Sequence, residues 1–81
     1  MRVDVQFFSQ LKEFTGDGSM ACDLPEHSTV GDLLTHLGSD LPQLEEWNGR
    51  LLFAVGVEFA QPTDLLFEGA LVSIMPPVQG G

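Results

Sequence analysis

Thr29-Val30-Gly31-Asp32-Leu33-Leu34-Thr35-His36-Leu37-Gly38 decides the fold, because it carries the best helical periodicity in the chain. Val30, Leu33, Leu34 and Leu37 fall at i, i+3, i+4 and i+7, a spacing that lines one face of a helix. Thr29 supplies an N-cap hydroxyl, and Asp32 three residues on approximates a capping box with an acid in the first turn. Gly38 stands where a C′ glycine closes a helix, so the spacing predicts a helix ending there. Leu41 to Trp47 adds at most a single turn starting at Pro42, before Asn48-Gly49 breaks the chain direction.

On the N-terminal side of that helix the period is two. Arg2-Val3-Asp4-Val5-Gln6-Phe7 alternates polar and apolar, with Val3, Val5 and Phe7 facing a core. Phe8 then falls on the polar face. Ser9 to Phe14 suits a short helical turn, stopped by Thr15-Gly16-Asp17-Gly18. Met20, Cys22 and Leu24 alternate again, a second strand hairpinned with the first and ended by Pro25. On the C-terminal side, Arg50 to Val57 reads as a central strand apolar on both faces. Glu58-Phe59-Ala60 continues as a short strand, and Leu71 to Met75 forms a last one with Val72 and Ile74 inward. The order is β-β-α-β-(β)-β. One helix covers one sheet face, so the expected fold is α+β in two layers, a mixed sheet on one main helix. This is the β-grasp, or ubiquitin-like, architecture.

The whole chain is 81 residues, enough for one small core. Its 43% hydrophobic residues suit a folded domain. Three Lys and Arg against twelve Asp and Glu leave a formal charge of −9, which repels phosphate backbones and points away from nucleic acid. That charge favours a basic protein partner. A single cysteine, Cys22, excludes an internal disulfide framework and a Cys-rich zinc site. No apolar run reaches the roughly 18 residues of a membrane span, and Met1-Arg2-Val3-Asp4 opens no signal peptide. The expectation is a cytoplasmic protein without a membrane partner.

The chemistry sits at the carboxyl end, Pro76-Pro77-Val78-Gln79-Gly80-Gly81. Two prolines end sheet pairing and hold the last residues extended, away from the domain. Two glycines without side chains thread a narrow channel and present an unhindered carboxylate. The chain therefore divides into a domain, 1–75, and a tail, 76–81. Such a carboxylate needs activation, as an acyl-adenylate or thioester, before it reacts. A Gly-Gly end alone arises by chance in about 0.5% of chains at ordinary glycine usage, so its weight comes from the Pro-Pro-Val lead-in after a strand.

Over nearly its full length the chain resembles the MoaD-like sulfur carriers, the family of the small subunit of molybdopterin synthase. The resemblance rests on Val5-Gln6-Phe7-Phe8, Leu11-Lys12-Glu13, Leu51-Leu52-Phe53-Ala54-Val55 and, most specifically, the tail from Pro76 to Gly81. Gly56 stands where many members carry Asn, and Gly69-Ala70-Leu71-Val72 replaces a common Gly-Asp-Glu-Val. The resemblance implies that an E1-like enzyme adenylates Gly81 with ATP and that a sulfur donor protein converts it to a thiocarboxylate. It further implies docking on a larger catalytic subunit, as a heterotetramer. There the sulfur passes to cyclic pyranopterin monophosphate and builds the molybdopterin dithiolene. Gly80 and Gly81 carry the sulfur, no cofactor or metal is bound by the chain itself, and the small subunit has no activity alone.

Phe8 and Met75 are apolar residues on otherwise polar strand faces, and Phe59 joins them if the first and last strands are neighbours. This patch beside the tail reads as a docking surface, where the resemblance also puts partner contacts, with Pro76, Pro77 and Val78 leading away from it. Cys22, in a buried stripe, reads as a structural thiol. His27 and His36 are too sparse for a metal site, Glu45 and Glu46 read as a solvated face, Lys12 and Arg50 read equally as ordinary surface charge or as pairs for acids of a partner, and Trp47 equally as a cap on the core edge or an interface residue. Three rival functions remain. One is a carrier for thiazole, cysteine or tRNA thiolation, whose members generally lack Pro-Pro-Val. Another is a ubiquitin-like modifier joined through Gly81 to lysines, and the last a binding module with an idle tail.

Overall fold

The alternation at the start becomes β1 (Arg2–Phe7), in which Val3, Val5 and Phe7 are buried and Arg2, Asp4 and Gln6 exposed. The computed structural model describes residues 1–14, 18–47 and 49–77. Past Phe7 a short 3-10 helix, Ser9–Phe14, turns the chain, entered through Ser9 at φ 56°. β2 (Ser19–Asp23) returns antiparallel to β1, with Val3 opposite Cys22. β3 (Leu52–Val55) and β4 (Glu58–Ala60) form a hairpin around Gly56, whose φ of 64° needs a residue at ease in the left-handed region. That backbone requirement accounts for glycine here, since Asn is the next residue to tolerate it. β5 (Leu71–Met75) inserts between β1, in parallel, and β3, antiparallel. The sheet order is β2-β1-β5-β3-β4, a mixed five-stranded sheet.

α1 (Val30–Asp40) lies on one face of this sheet. Its start follows the capping box: Asp32 N–H donates to Thr29 Oγ1 at 3.1 Å, and Thr29 N–H donates to Asp32 Oδ2 at 2.9 Å. Val30, Leu33 and Leu37 are fully buried in one cluster with Val3, Val5, Phe7, Phe53, Val72 and Ile74. At about 25 cal/mol per Å² of apolar surface removed from water, this single layer is the main favourable term in the fold.

Two expectations are corrected. Gly38 does not end the helix, which continues to Asp40 with Leu41 as its C-cap. Pro42 stops it: a proline disfavours helical geometry in the residue before it, and Leu41 is bent to φ −127°, ψ 74° while its N–H still donates to Leu37 O at 2.7 Å. The strand expected over 50–57 is shortened to Leu52–Val55, with Arg50 in a turn and Val57 wholly exposed at the hairpin tip. It is interior to the sheet, but the middle strand is β5, whose two neighbours satisfy both of its edges. No helix of the described residues is long and apolar enough to cross a membrane.

Candidate functional site

β1 and β5 run parallel, so their C-terminal ends meet at one pole, where the tail departs. Phe8 stays on the ladder there, its N–H donating to Ile74 O at 3.1 Å. Being one residue past buried Phe7, it places its ring on the face that α1 leaves uncovered, where it is 38% exposed. Met75, one past buried Ile74, points the same way and stands opposite Leu52 in the β3–β5 register. Phe59 on edge strand β4 faces Ala54, two residues from Leu52, and shares that face at 77% exposure.

Together these side chains wall a cleft of about 390 Å³ with Ser9, Pro76 and Pro77. Phe8, Phe59, Met75, Pro76 and Pro77, singled out in the sequence, are thus brought to one place. Pro76 and Pro77 are half-buried in its wall rather than held away from the domain. Val78, Gly80 and Gly81 lie outside the described residues. Sequence reading missed Leu52 and Ser9. The signal for Leu52 was present, since a strand apolar on both faces must show one to the uncovered side, but its pairing with Met75 depends on a long-range register.

Among the described residues, no charged side chain lines the cleft. Covering it therefore removes apolar surface from water with no ion to desolvate. Arg50 is committed elsewhere, donating to Glu46 O and stacking 5.2 Å from the centroid of Trp47, which packs half-buried against the core. Cys22 lies opposite Val3, toward the pole away from the tail, and is buried. Burial raises its thiol pKa above the ordinary value, with the charges of Asp40 and Asp23 adding to the rise. Such a thiol is a poor nucleophile and suits a structural role. His27 and His36 are exposed, and the described residues contain no cluster of three or more metal-ligating side chains.

The chain is thus a β-grasp domain with an uncharged apolar cleft where its last strand ends, ahead of Gly80-Gly81 in the sequence. The sequence profile of the ThiS family matches residues 5–81, and the chain belongs to that family. It is similar to the molybdopterin synthase sulfur carrier subunit of Chlamydomonas reinhardtii, 29% identical with both chains fully covered. Among solved structures it is similar to SAMP1 from Haloferax volcanii, with a TM-score of 0.86 and 25% identity over all of both chains. It is also similar to a chain in the complex of subunits 1 and 2 of the molybdopterin-converting factor from Helicobacter pylori, with a TM-score of 0.71 and 26% identity, again over both full lengths.

Proposed function

We propose that this chain is the sulfur carrier subunit of a molybdopterin synthase. The observation that carries the reading is the uncharged cleft of Phe8, Leu52, Phe59, Met75, Pro76 and Pro77, placed where the chain leaves β5 for Gly80-Gly81. The similarity to curated sulfur carrier subunits supports it. An E1-like enzyme spends ATP to convert the Gly81 carboxylate to an acyl-adenylate, giving the carbonyl carbon a good leaving group. A sulfur donor protein replaces that group, leaving a thiocarboxylate. The cleft then docks on the larger catalytic subunit, as a heterotetramer, and the glycines enter its active site. Sulfur passes to cyclic pyranopterin monophosphate, and water restores the carboxylate for another round.

The chain's own contribution is binding and delivery. An apolar docking surface gives affinity without favouring a charge state of the tail, so charged and spent carriers both dissociate and exchange. The test is the intact mass of the chain incubated with its activating enzyme, ATP and a sulfur donor. A gain equal to exchange of one oxygen for sulfur at Gly81 is expected, and an unchanged mass overturns the reading.

A second reading, a protein modifier acting through an amide at Gly81, is favoured by the likeness to SAMP1. It predicts isopeptide adducts on many proteins instead. A carrier serving thiazole, cysteine or tRNA thiolation would show the same mass gain but fail to restore molybdopterin.

A further inference from the structure

Arg2, Lys12 and Arg50 are the only basic residues in a chain of net charge −9, and the fold uses two of them internally. Arg2 lies 3.9 Å from Asp4. Arg50, two residues before β3, donates to Glu46 O and stacks on Trp47. Lys12 is exposed and forms no ion pair among the described residues. It is nevertheless held in place. Its stem lies against Gly18, where a Cβ would come within 3.2 Å of Lys12 Cγ and 3.6 Å of Cδ. Gly18 takes φ 82°, where a side chain is strained, and its carbonyl accepts from Phe7 N–H at 2.8 Å at the end of β1. A seated stem below an exposed head keeps the ammonium in water at this pole of the sheet.

The 3-10 helix Ser9–Phe14 relates Lys12 to the cleft. With three residues per turn, Ser9 and Lys12 eclipse one another, about 6 Å apart along the axis. Ser9 lines the cleft with Phe8 and Met75, whereas Leu11 is turned into the core. Glu13, the acid on the same helix, is rotated about 120° from Lys12. The acids of the strands lie toward the opposite pole: Asp23 opposite Arg2, Asp4 beside Leu71 at the start of β5, and Glu58 next to the β3–β4 turn. Glu68 joins them there, accepting from Arg2 N–H at 3.0 Å. The end that carries the cleft therefore offers apolar surface with one uncommitted cation a helical turn from its wall.

We infer that Lys12 is a recognition point of the docking surface, pairing with a carboxylate side chain that the larger catalytic subunit places beside its apolar contact. The inference rests on the reading of the cleft as the docking surface for that subunit. Burial of apolar surface is non-directional, so the cleft supplies affinity while leaving rotation of the docked chain weakly opposed. One opposed pair of charges at its edge fixes the register. The acids at the far pole favour a partner surface that is basic overall, and a lone carboxylate opposite Lys12 admits the chain in a single orientation.

The test follows association of the full chain with the purified large subunit by surface plasmon resonance, at about 0.05 and 0.5 M sodium chloride. At low salt K12Q should associate about two- to fivefold more slowly than the parent, the range of an exposed ion pair. The difference should shrink at high salt, and the melting temperature should stay unchanged. K12R keeps the charge and should keep the parent rate. Gln43→Glu, at an exposed position on the 3-10 helix Pro42–Trp47 packed against α1, makes the same unit change in net charge and should not slow association. Net charge alone predicts the opposite sign for K12Q, since a chain one unit more negative than −9 meets a basic surface faster. K12Q associating at the parent rate or faster overturns the inference alone. Equal slowing by Gln43→Glu or by K12R overturns it as well. A parent chain that does not bind the large subunit overturns the docking reading and the inference together.

Discussion

Leu52 and Met75 stand opposite each other across β3 and β5, on the sheet face that α1 leaves bare. This pairing joins a residue before the β3–β4 hairpin to the last residue of the final strand, and so fixes the floor of the cleft relative to the start of the tail.

Phe59 supplies the most exposed wall of that floor, and an exposed ring contributes little to folding. Phe59→Ala should shift the melting temperature by no more than about 4 °C, since exposed changes cost about 0.5 kcal/mol or less. It should weaken binding to the large subunit about tenfold or more, as loss of an aromatic anchor does. Titration calorimetry with purified large subunit decides it, and unchanged affinity would remove Phe59 from the interface.

Leu33 is fully buried between α1 and the sheet. Leu33→Ala should cost about 2–5 kcal/mol through lost burial and the cavity left behind. A domain of this size has a total stability of about 4–12 kcal/mol, so the variant should lose a large fraction of it. Urea unfolding followed by circular dichroism measures the loss.

The reciprocal bonds of Thr29 and Asp32 hold the entry to α1. Thr29→Ala should cost about 1 kcal/mol and lower the melting temperature by about 4–8 °C, while Thr29→Ser should recover most of it. Equal melting of the two variants would assign the effect to the lost methyl group instead.

Cys22 makes stability depend on alkaline pH. Its folded-state thiol pKa is raised, so the folded chain holds its proton to higher pH than the unfolded chain does. The stabilising contribution is complete below the unfolded thiol value of about 8.5 and is lost as pH rises above it. The urea midpoint should therefore fall more steeply between pH 8 and 10 in the parent chain than in Cys22→Ala. Parallel curves would place the dependence on other groups.

With a charge of −9 and few basic residues, the folded chain repels itself. Raising ionic strength from about 0.01 to 0.5 M shortens the screening length from about 30 Å to below 10 Å and should raise the melting temperature. Scanning calorimetry in sodium chloride checks this, and a melting temperature that falls or stays level would mean that attractive pairs dominate.

Much of this fold is legible residue by residue. The alternation of Val3, Val5 and Phe7 and the capping box at Thr29 are local signals that tertiary structure leaves intact. The end of α1 is harder to read because Gly38 lies inside it. Glycine in a helix costs about 1 kcal/mol, and continued backbone hydrogen bonding together with docking of Leu41 on the core outweighs that cost. The true stop, Pro42, acts through steric conflict with Leu41 and is also written in the sequence. Phe8 and Met75 are recoverable because each sits on a strand face whose other members are mostly polar, and Phe59 joins them once the first and last strands are taken as neighbours. Leu52 is not, since its place depends on which strand pairs with β5, and that is set by contacts between distant parts of the chain.

The middle position of β5 has a consequence for how the molecule comes into being. It is the last strand to be synthesised, yet β1 on one side and β3 on the other bond to each other through nothing else. Until it arrives, the earlier strands make two separate hairpins, each too small to persist in water. Ordering the sheet must therefore wait for pairing between the two ends of the domain, a slow and all-or-none event. The cleft and the strand that carries the chain out of it thus take shape at one moment.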